Sequence, residues 1–193
     1  MRTPEENKAL CEKYPFLKYS DDPDDDYEYT YADDIPEGWW IAFGEMMCEE
    51  IKAELIRCNF LDEYRIVQAK DKYAGLRIYD NGVPKGCKVW DIIEKYSVLS
   101  QNICGVCGRP DVPVMTWGWE YPLCRDHAQN PEEYQECARK QYPHNMSQYR
   151  KWSSLTDGKW VDHDEYIGDT ANRIREAWRE RNANHINGED LFR

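Results

Sequence analysis

The sequence predicts an α+β fold: two helices on a small antiparallel β-hairpin, a zinc-ribbon or treble-clef-like module, and a C-terminal helical extension. Three observations predict it. Two segments, residues 40–58 and 89–99, carry apolar residues at helical spacing. Between them, Tyr64–Lys70 and Leu76–Asp80 read as strands joined by Asp71–Gly75. After the second helix come Cys104-Gly105-Val106-Cys107 and Cys124-Arg125-Asp126-His127, two pairs of soft ligands with sixteen residues between them. That is the spacing of a tetrahedral zinc site.

The elements follow in order. Thr3, Pro4 and Glu6 make a helix start, with Thr3 as cap, Pro4 in the first turn and Glu6 closing a capping box. This helix should stop at Pro15. Residues 20–34 hold eight acids and no base, with Tyr27, Tyr29 and Tyr31 at alternating positions. They read as a solvated acidic loop, or as an acidic-aromatic arm for a basic partner. Ile35-Pro36-Glu37-Gly38 punctuates the chain. Trp40, Phe43, Gly44, Met47, Cys48, Ile51, Leu55 and Cys58 then form one apolar stripe, a core face. In the hairpin, Leu76 and Ile78 share a face, while Lys70, Lys72 and Arg77 suit a solvated face or an anion contact. Asn81-Gly82 signals a turn. Val89, Trp90, Ile92, Ile93, Tyr96 and Leu99 give the second core helix.

Between the ligand pairs, residues 112–121 suggest a hairpin about Gly118. A helix should start near Asn130-Pro131, with a weaker helical segment at 145–155, a turn at 156–159, and a last helix carrying Ile167, Ala171, Ile174, Ala177 and Trp178. The chain thus divides into an N-terminal helix and acidic arm (1–37), a core with the metal module (38–130), and a helical extension (131–193).

Cys104, Cys107, Cys124 and His127 would close a tetrahedron around one Zn²⁺ per chain. Four protein ligands leave no position for substrate water, so the expected role is structural. Cys137 is the alternative to His127 as fourth ligand. The remaining cysteines, Cys11, Cys48, Cys58 and Cys87, read as free and mostly buried thiols, because no secretory signal accompanies them.

The net charge of −12 has a location. Residues 1–63 carry eighteen acids and six bases, whereas residues 64–193 carry nineteen of each. An acidic surface is repelled by phosphate backbones, which disfavours direct nucleic-acid binding. No apolar run is long enough to span a membrane, so the expectation is a soluble, cytoplasmic protein. Eight Trp and fourteen Tyr make the chain rich in aromatic contact residues. Trp117 and Trp119 lie two apart in the module, where they either pack on the body or anchor a partner.

The hairpin sequence Arg-Ile-Val-Gln-Ala-Lys-Asp-Lys-Tyr-Ala-Gly-Leu-Arg-Ile-Tyr, residues 65–79, is followed by a helix, Cys-x-x-Cys and Cys-x-x-His. This order resembles a family of small uncharacterised zinc-binding bacteriophage and prophage proteins, whose hallmark is similar to QIKEKFGGLRFY ahead of a cysteine-rich module. Ala69, Asp71 and Tyr73-Ala74 depart from that pattern, and some members end the module with Cys-x-x-Cys. The resemblance covers about residues 10–130. It implies a phage origin, the α-β-β-α-zinc order and the ligands, and no activity.

The expected function is therefore a non-enzymatic phage accessory protein. It would bind, and inhibit or redirect, a host protein such as a defence or nucleic-acid-handling complex. The expected partner surface is Asp21, Asp22, Asp24, Asp25, Asp26, Tyr27, Tyr29, Trp117 and Trp119. Phosphate mimicry by the acids is the proposed device. Two alternatives stand beside it. One is a zinc-dependent nucleic-acid-binding regulator using Arg173, Arg175, Arg179 and Arg181. The other is an HNH-like metal-dependent nuclease built on His163 and His185. No Gly-rich phosphate loop, nucleophile elbow or HExxH pair occurs in the sequence.

Overall fold

Thr3 and Glu6 start the chain as their chemistry dictates. In the computed structural model, α1 spans Pro4–Lys13. The Glu6 N–H donates to the Thr3 hydroxyl at 3.3 Å, and the Thr3 N–H donates to the Glu6 carboxylate at 2.8 Å. Pro15 ends the helix, and a 3-10 turn, Pro15–Leu17, buries Phe16 and Leu17. The structure describes residues 2–20, 22, 24, 26–112, 114–117, 119–128, 132, 153–156, 159–162 and 164–183. At 114–117, 119–120, 153–156, 159–162 and 164–166 the description is of backbone alone.

Helix α2 opens with Glu37–Trp39, widens into a π turn at Trp40–Gly44, and continues as Glu45–Arg57. Met47, Cys48, Ile51 and Leu55 form the expected buried stripe. The N-terminal end differs from expectation. Trp39, not Trp40, is fully buried, because the π turn inserts one residue and shifts the phase of everything before it. Trp40 instead lies under the Arg2 guanidinium, 4.3 Å from its carbon to the ring centre.

Strands β1, Ile66–Lys72, and β2, Gly75–Asp80, form an antiparallel hairpin. It is longer at its tip than the sequence suggested. Lys72 pairs with Gly75, so the loop is only Tyr73-Ala74, both with positive φ (53° and 61°). Two left-handed residues give the loop the twist that suits adjacent strands. A register shift between Ile66 and Gln68 makes a bulge at Val67. It lets Ile66 and Ala69, three apart, both face the core, while Val67 is exposed.

Helix α3, Val89–Ser100, packs on β2 and on α2. The rings of Phe43 and Tyr96 stack at 5.1 Å. Ser100 ties the helix to the hairpin by accepting from the Leu76 N–H at 2.8 Å. Two positions depart from the predicted stripe. Trp90 is 58% exposed and donates to Asp80 at 3.1 Å. Lys95 is fully buried, in an ion pair with Glu50, which also accepts from the Tyr96 hydroxyl at 3.0 Å. The rest of the stripe, Val89, Ile92, Ile93, Tyr96 and Leu99, is buried as expected, and the buried face widens to take in the lysine stem.

Strands β3, Val114–Trp117, and β4, Trp119–Pro122, pair antiparallel between the two ligand pairs. Strands β5, Ser153–Thr156, and β6, Lys159–Asp162, make a third hairpin. It takes up residues 153–155, the end of the helical segment expected at 145–155, and residues 145–152 of that segment lie outside the described part of the structure. The four residues of β5 carry one apolar side chain, Leu155, too few to fix a helical period, and Thr156 favours a strand. Helix α4, Asp164–Asn182, buries Ile167, Thr170 and Ile174. Arg175 holds Asp111 with two bonds of 2.7 Å. One buried cluster runs from Cys11 and Tyr14 through Trp39, Leu55 and Tyr96 to Ile174. No described helix is long and apolar enough to cross a membrane.

Candidate functional site

The candidate metal centre begins with the backbone around Cys104. Its N–H donates to the Arg109 carbonyl at 2.8 Å, and the Gly108 N–H returns to the Cys104 carbonyl at 2.9 Å. This tight reversal aims Cys104 and Cys107 the same way. Gly108 makes it possible by taking φ +77°. The second pair sits on another short turn, closed by the His127 N–H to the Cys124 carbonyl at 3.0 Å. The Gly105 N–H donates to the Pro122 carbonyl at 2.9 Å and locks the two turns together.

All four ligand atoms lie within 4.8 Å of one another. Cys107 and Cys124 sulfurs are 3.8 Å apart, and Cys104 Sγ is 3.7 Å from His127 Nδ1. Tetrahedral zinc at ordinary bond lengths would separate two sulfurs by about 3.8 Å, and a sulfur and a nitrogen by about 3.6 Å. Cys124 Sγ and His127 Nδ1 are closer, at 3.0 Å. These residues could therefore hold a metal ion. Cys104 and Cys124 are buried, Cys107 is half-buried and His127 faces solvent. Hydrogen bonds from Cys107 and Cys124 hold the Cys104 thiol well below its usual value. Bonding to the same Cys104 sulfur pushes Cys124 up. Three thiols this close compete for one negative charge. A cation among them removes that conflict and supports three thiolates.

The supporting shell is what sequence reading missed. Gly38, read as punctuation, lies against the metal turn. A Cβ there would sit 2.2 Å from the Cys104 carbonyl oxygen and 2.7 Å from the Gly108 nitrogen. The Gly38 N–H donates to the Gly105 carbonyl at 2.9 Å, and Trp39 Nε1 donates to the Ile103 carbonyl at 2.8 Å. Trp39 also stacks on Tyr121 at 6.2 Å. The start of α2 is thus seated directly on the metal turn. A signal existed in the Gly-Trp dipeptide, since both residue types favour close backbone approach and interior packing. From α4, the Trp178 ring lies 5.5 Å from the Arg109 guanidinium.

The acidic segment is tied down at its base. Lys18 and Thr30 form a β-bridge, and the Tyr31 N–H donates to the Leu17 carbonyl at 3.0 Å. The Asp33 carboxylate accepts from Arg2 at 3.0 Å, Asn7 at 3.2 Å and the Thr30 N–H at 2.9 Å. Asn7 also donates to the Tyr27 carbonyl at 3.0 Å, and both Asn7 and Thr30 are fully buried. Above this base, Asp22, Asp24, Asp26 and Glu28 are exposed. Tyr19 meets Tyr29 edge-on at 5.3 Å and Tyr31 at the same distance. The Tyr29 hydroxyl donates to Asp34, and that bond raises its pKa to about 12. Tyr29 is exposed, whereas Tyr27 packs against the core.

Trp117 and Trp119 are cross-strand partners in the backbone register of β3 and β4, rather than neighbours on one strand. Their side chains fall outside the described part of the structure, as do Asp21, Asp25, Cys137, His163 and His185 altogether. Among the basic candidates, Arg77 is taken up by Ser97 and the Leu76 carbonyl. Lys70 lies over Tyr79 at 5.2 Å and donates to Gln68. Arg173 and Arg175 pair with Glu50 and Asp111, while Arg179 and Arg181 are exposed. Comparison with known protein families, with curated proteins and with solved structures finds no match.

Proposed function

We propose that this chain is a non-enzymatic interaction protein. In this reading one structural zinc ion, held by Cys104, Cys107, Cys124 and His127, fixes a zinc-ribbon or treble-clef-like module. The acidic-aromatic loop over residues 18–34 presents Asp22, Asp24, Asp26, Glu28 and Tyr29 to a basic partner. The resemblance to phage proteins adds the setting: a host protein, of the nucleic-acid-handling or defence class, whose phosphate-binding groove the loop would occupy.

The observation that carries the reading is the contrast within one loop. Its base is buried and hydrogen-bonded through Asn7, Thr30 and Asp33, and its crest is acidic and exposed. A loop held this way loses little conformational entropy on binding. Clustered carboxylates steer a basic partner at a rate that falls with salt.

The test is capture of partners from phage-infected cells at graded salt, with the wild-type chain and with Asp22, Asp24 and Asp26 changed to Asn. The expected result is a partner set that is lost with rising salt and lost in the variant. Capture of the same partners with the same salt dependence by both chains would sink the proposal. Elemental analysis should find about one zinc per chain, abolished together with the fold by Cys104→Ser.

A further inference from the structure

Outside the metal centre, a second group of nucleophilic side chains lies close together. Cys58 caps the C-terminal end of α2, and Cys87 lies just before α3. Their sulfurs and a Glu54 carboxylate oxygen lie within 4.8 Å of one another. Both cysteines are free and half-buried, so they can be reached from solvent. The segment bearing Cys87 is seated on the helix end. The Lys88 N–H donates to Glu54 Oε1 at 2.6 Å, and Arg57 Nη2 donates to the Gly86 carbonyl at 2.9 Å.

Two chemistries suit paired thiols beside a carboxylate: a soft metal ion or a disulfide. The surroundings separate them. Glu54 already accepts from Arg57 at 2.7 and 2.6 Å and from Lys88. The same guanidinium lies 3.4 Å from Cys58 Sγ. Cys58 Sγ itself lies 3.6 Å from Glu54 Oε1. The carboxylate is thus already taken up by Arg57, Lys88 and Cys58 and has little left to offer a dication, and the guanidinium beside it adds repulsion. We propose that Cys58 and Cys87 form a reversible dithiol–disulfide pair that exchanges with low-molecular-weight disulfides such as oxidised glutathione.

Cys58 is the attacking thiol and Cys87 the resolving one. Cys58 thiolate attacks one sulfur of the glutathione disulfide. A mixed disulfide forms, and the first glutathione leaves as thiolate. Cys87 then loses its proton to solvent, and its sulfur displaces the second glutathione. Two protein thiols are oxidised and one small disulfide is reduced to two thiols. Burial pushes the Cys87 thiol up to about 12, so it is slow to ionise and reacts second, once the mixed disulfide holds its target beside it. The bond would tie the end of α2 to the start of α3 around the whole β1–β2 hairpin.

The experiment uses the full chain loaded with zinc, equilibrated in mixtures of reduced and oxidised glutathione, alkylated and mapped by mass spectrometry. The expected product is two hydrogens lighter, carries one Cys58–Cys87 cross-link, and reverts in reduced glutathione. Cys87→Ser should stop at a glutathione adduct on Cys58. Separate adducts without a cross-link, or an equal cross-link yield from the urea-unfolded chain, would overturn the proposal. So would a second equivalent of bound zinc that both Cys58→Ser and Cys87→Ser remove.

Discussion

Gly38→Ala tests whether the hydrophobic body and the Cys104–His127 cluster are mechanically one. The added Cβ would meet the Cys104 carbonyl oxygen at 2.2 Å, the Gly105 carbonyl carbon at 2.6 Å and the Gly108 nitrogen at 2.7 Å. All three are backbone atoms of the metal turn and cannot swing aside as a side-chain tip can. Overpacking of this kind costs about 1–3 kcal/mol. Pushing α2 off the turn also strains the Gly38–Gly105 and Trp39–Ile103 hydrogen bonds, at about 1 kcal/mol each. The better helix propensity of alanine returns up to about 1 kcal/mol. The net expectation is a loss of about 2–4 kcal/mol. Because Cys104 and Cys107 stand on this turn, that loss should also appear as roughly hundredfold weaker metal binding. The assay is urea unfolding followed by tryptophan fluorescence, beside zinc competition against a chromophoric chelator. Gly168→Ala is the control. Its Cβ would meet nothing within 4 Å inside α4, so it should stabilise by about 1 kcal/mol. If Gly38→Ala unfolds within about 1 kcal/mol of wild type and binds zinc as tightly, the reasoning about the seated helix is wrong.

Two further outcomes follow from the body of the fold. Burial pushes Lys95 down from 10.5 to about 8, with Glu50 opposing the shift. Its folded value lies below its unfolded value, so the unfolded chain binds more protons from pH 8 to 10.5 and stability rises with pH there. Measured against Lys95→Met, the wild type should gain about 2 kcal/mol between pH 8 and 10, and a flat difference would refute the assignment. At the hairpin tip, Tyr73 holds φ +53° while 74% exposed. Tyr73→Asn should raise stability by about 0.5–1 kcal/mol in thermal melts, and a decrease would contradict the two-residue turn.

Much of the architecture could be read from residue spacing, and the failures have physical causes. The capping box at Thr3, the stripe from Met47 to Leu55 and the two ligand pairs are local patterns, and each appears where its spacing placed it. Trp39 was missed because helical periodicity was extended backwards through a turn that breaks it. Lys95 was missed because charge argues for solvent. Only the fold reveals the Glu50 partner, 45 residues away. Gly38 was misread for a similar reason. Its purpose lies in a contact with Cys104 and Gly108, and a sequence does not show what stands across an interface. The acidic segment was legible as charge, but the knot of Asn7, Thr30 and Asp33 beneath it depends on a helix that precedes it.

The π turn at Trp40–Gly44 is a phase adaptor. Buried positions along α2 run Gly38-Trp39, Ala42-Phe43-Gly44, Met47-Cys48, Ile51 and Leu55, and the group inside the π turn is one residue wider than its neighbours. A uniform helix could keep its later face on the core or its first turn on the metal loop, but the two demands differ by about one residue of rotation, roughly 100°. The extra residue absorbs that angle. Deleting Ile41, which is 42% exposed, would remove no core contact yet turn Gly38 and Trp39 away from Cys104. Chain length within this one helical turn therefore matters more than residue identity. Natural variation in such proteins should tolerate substitution at position 41 far better than its loss.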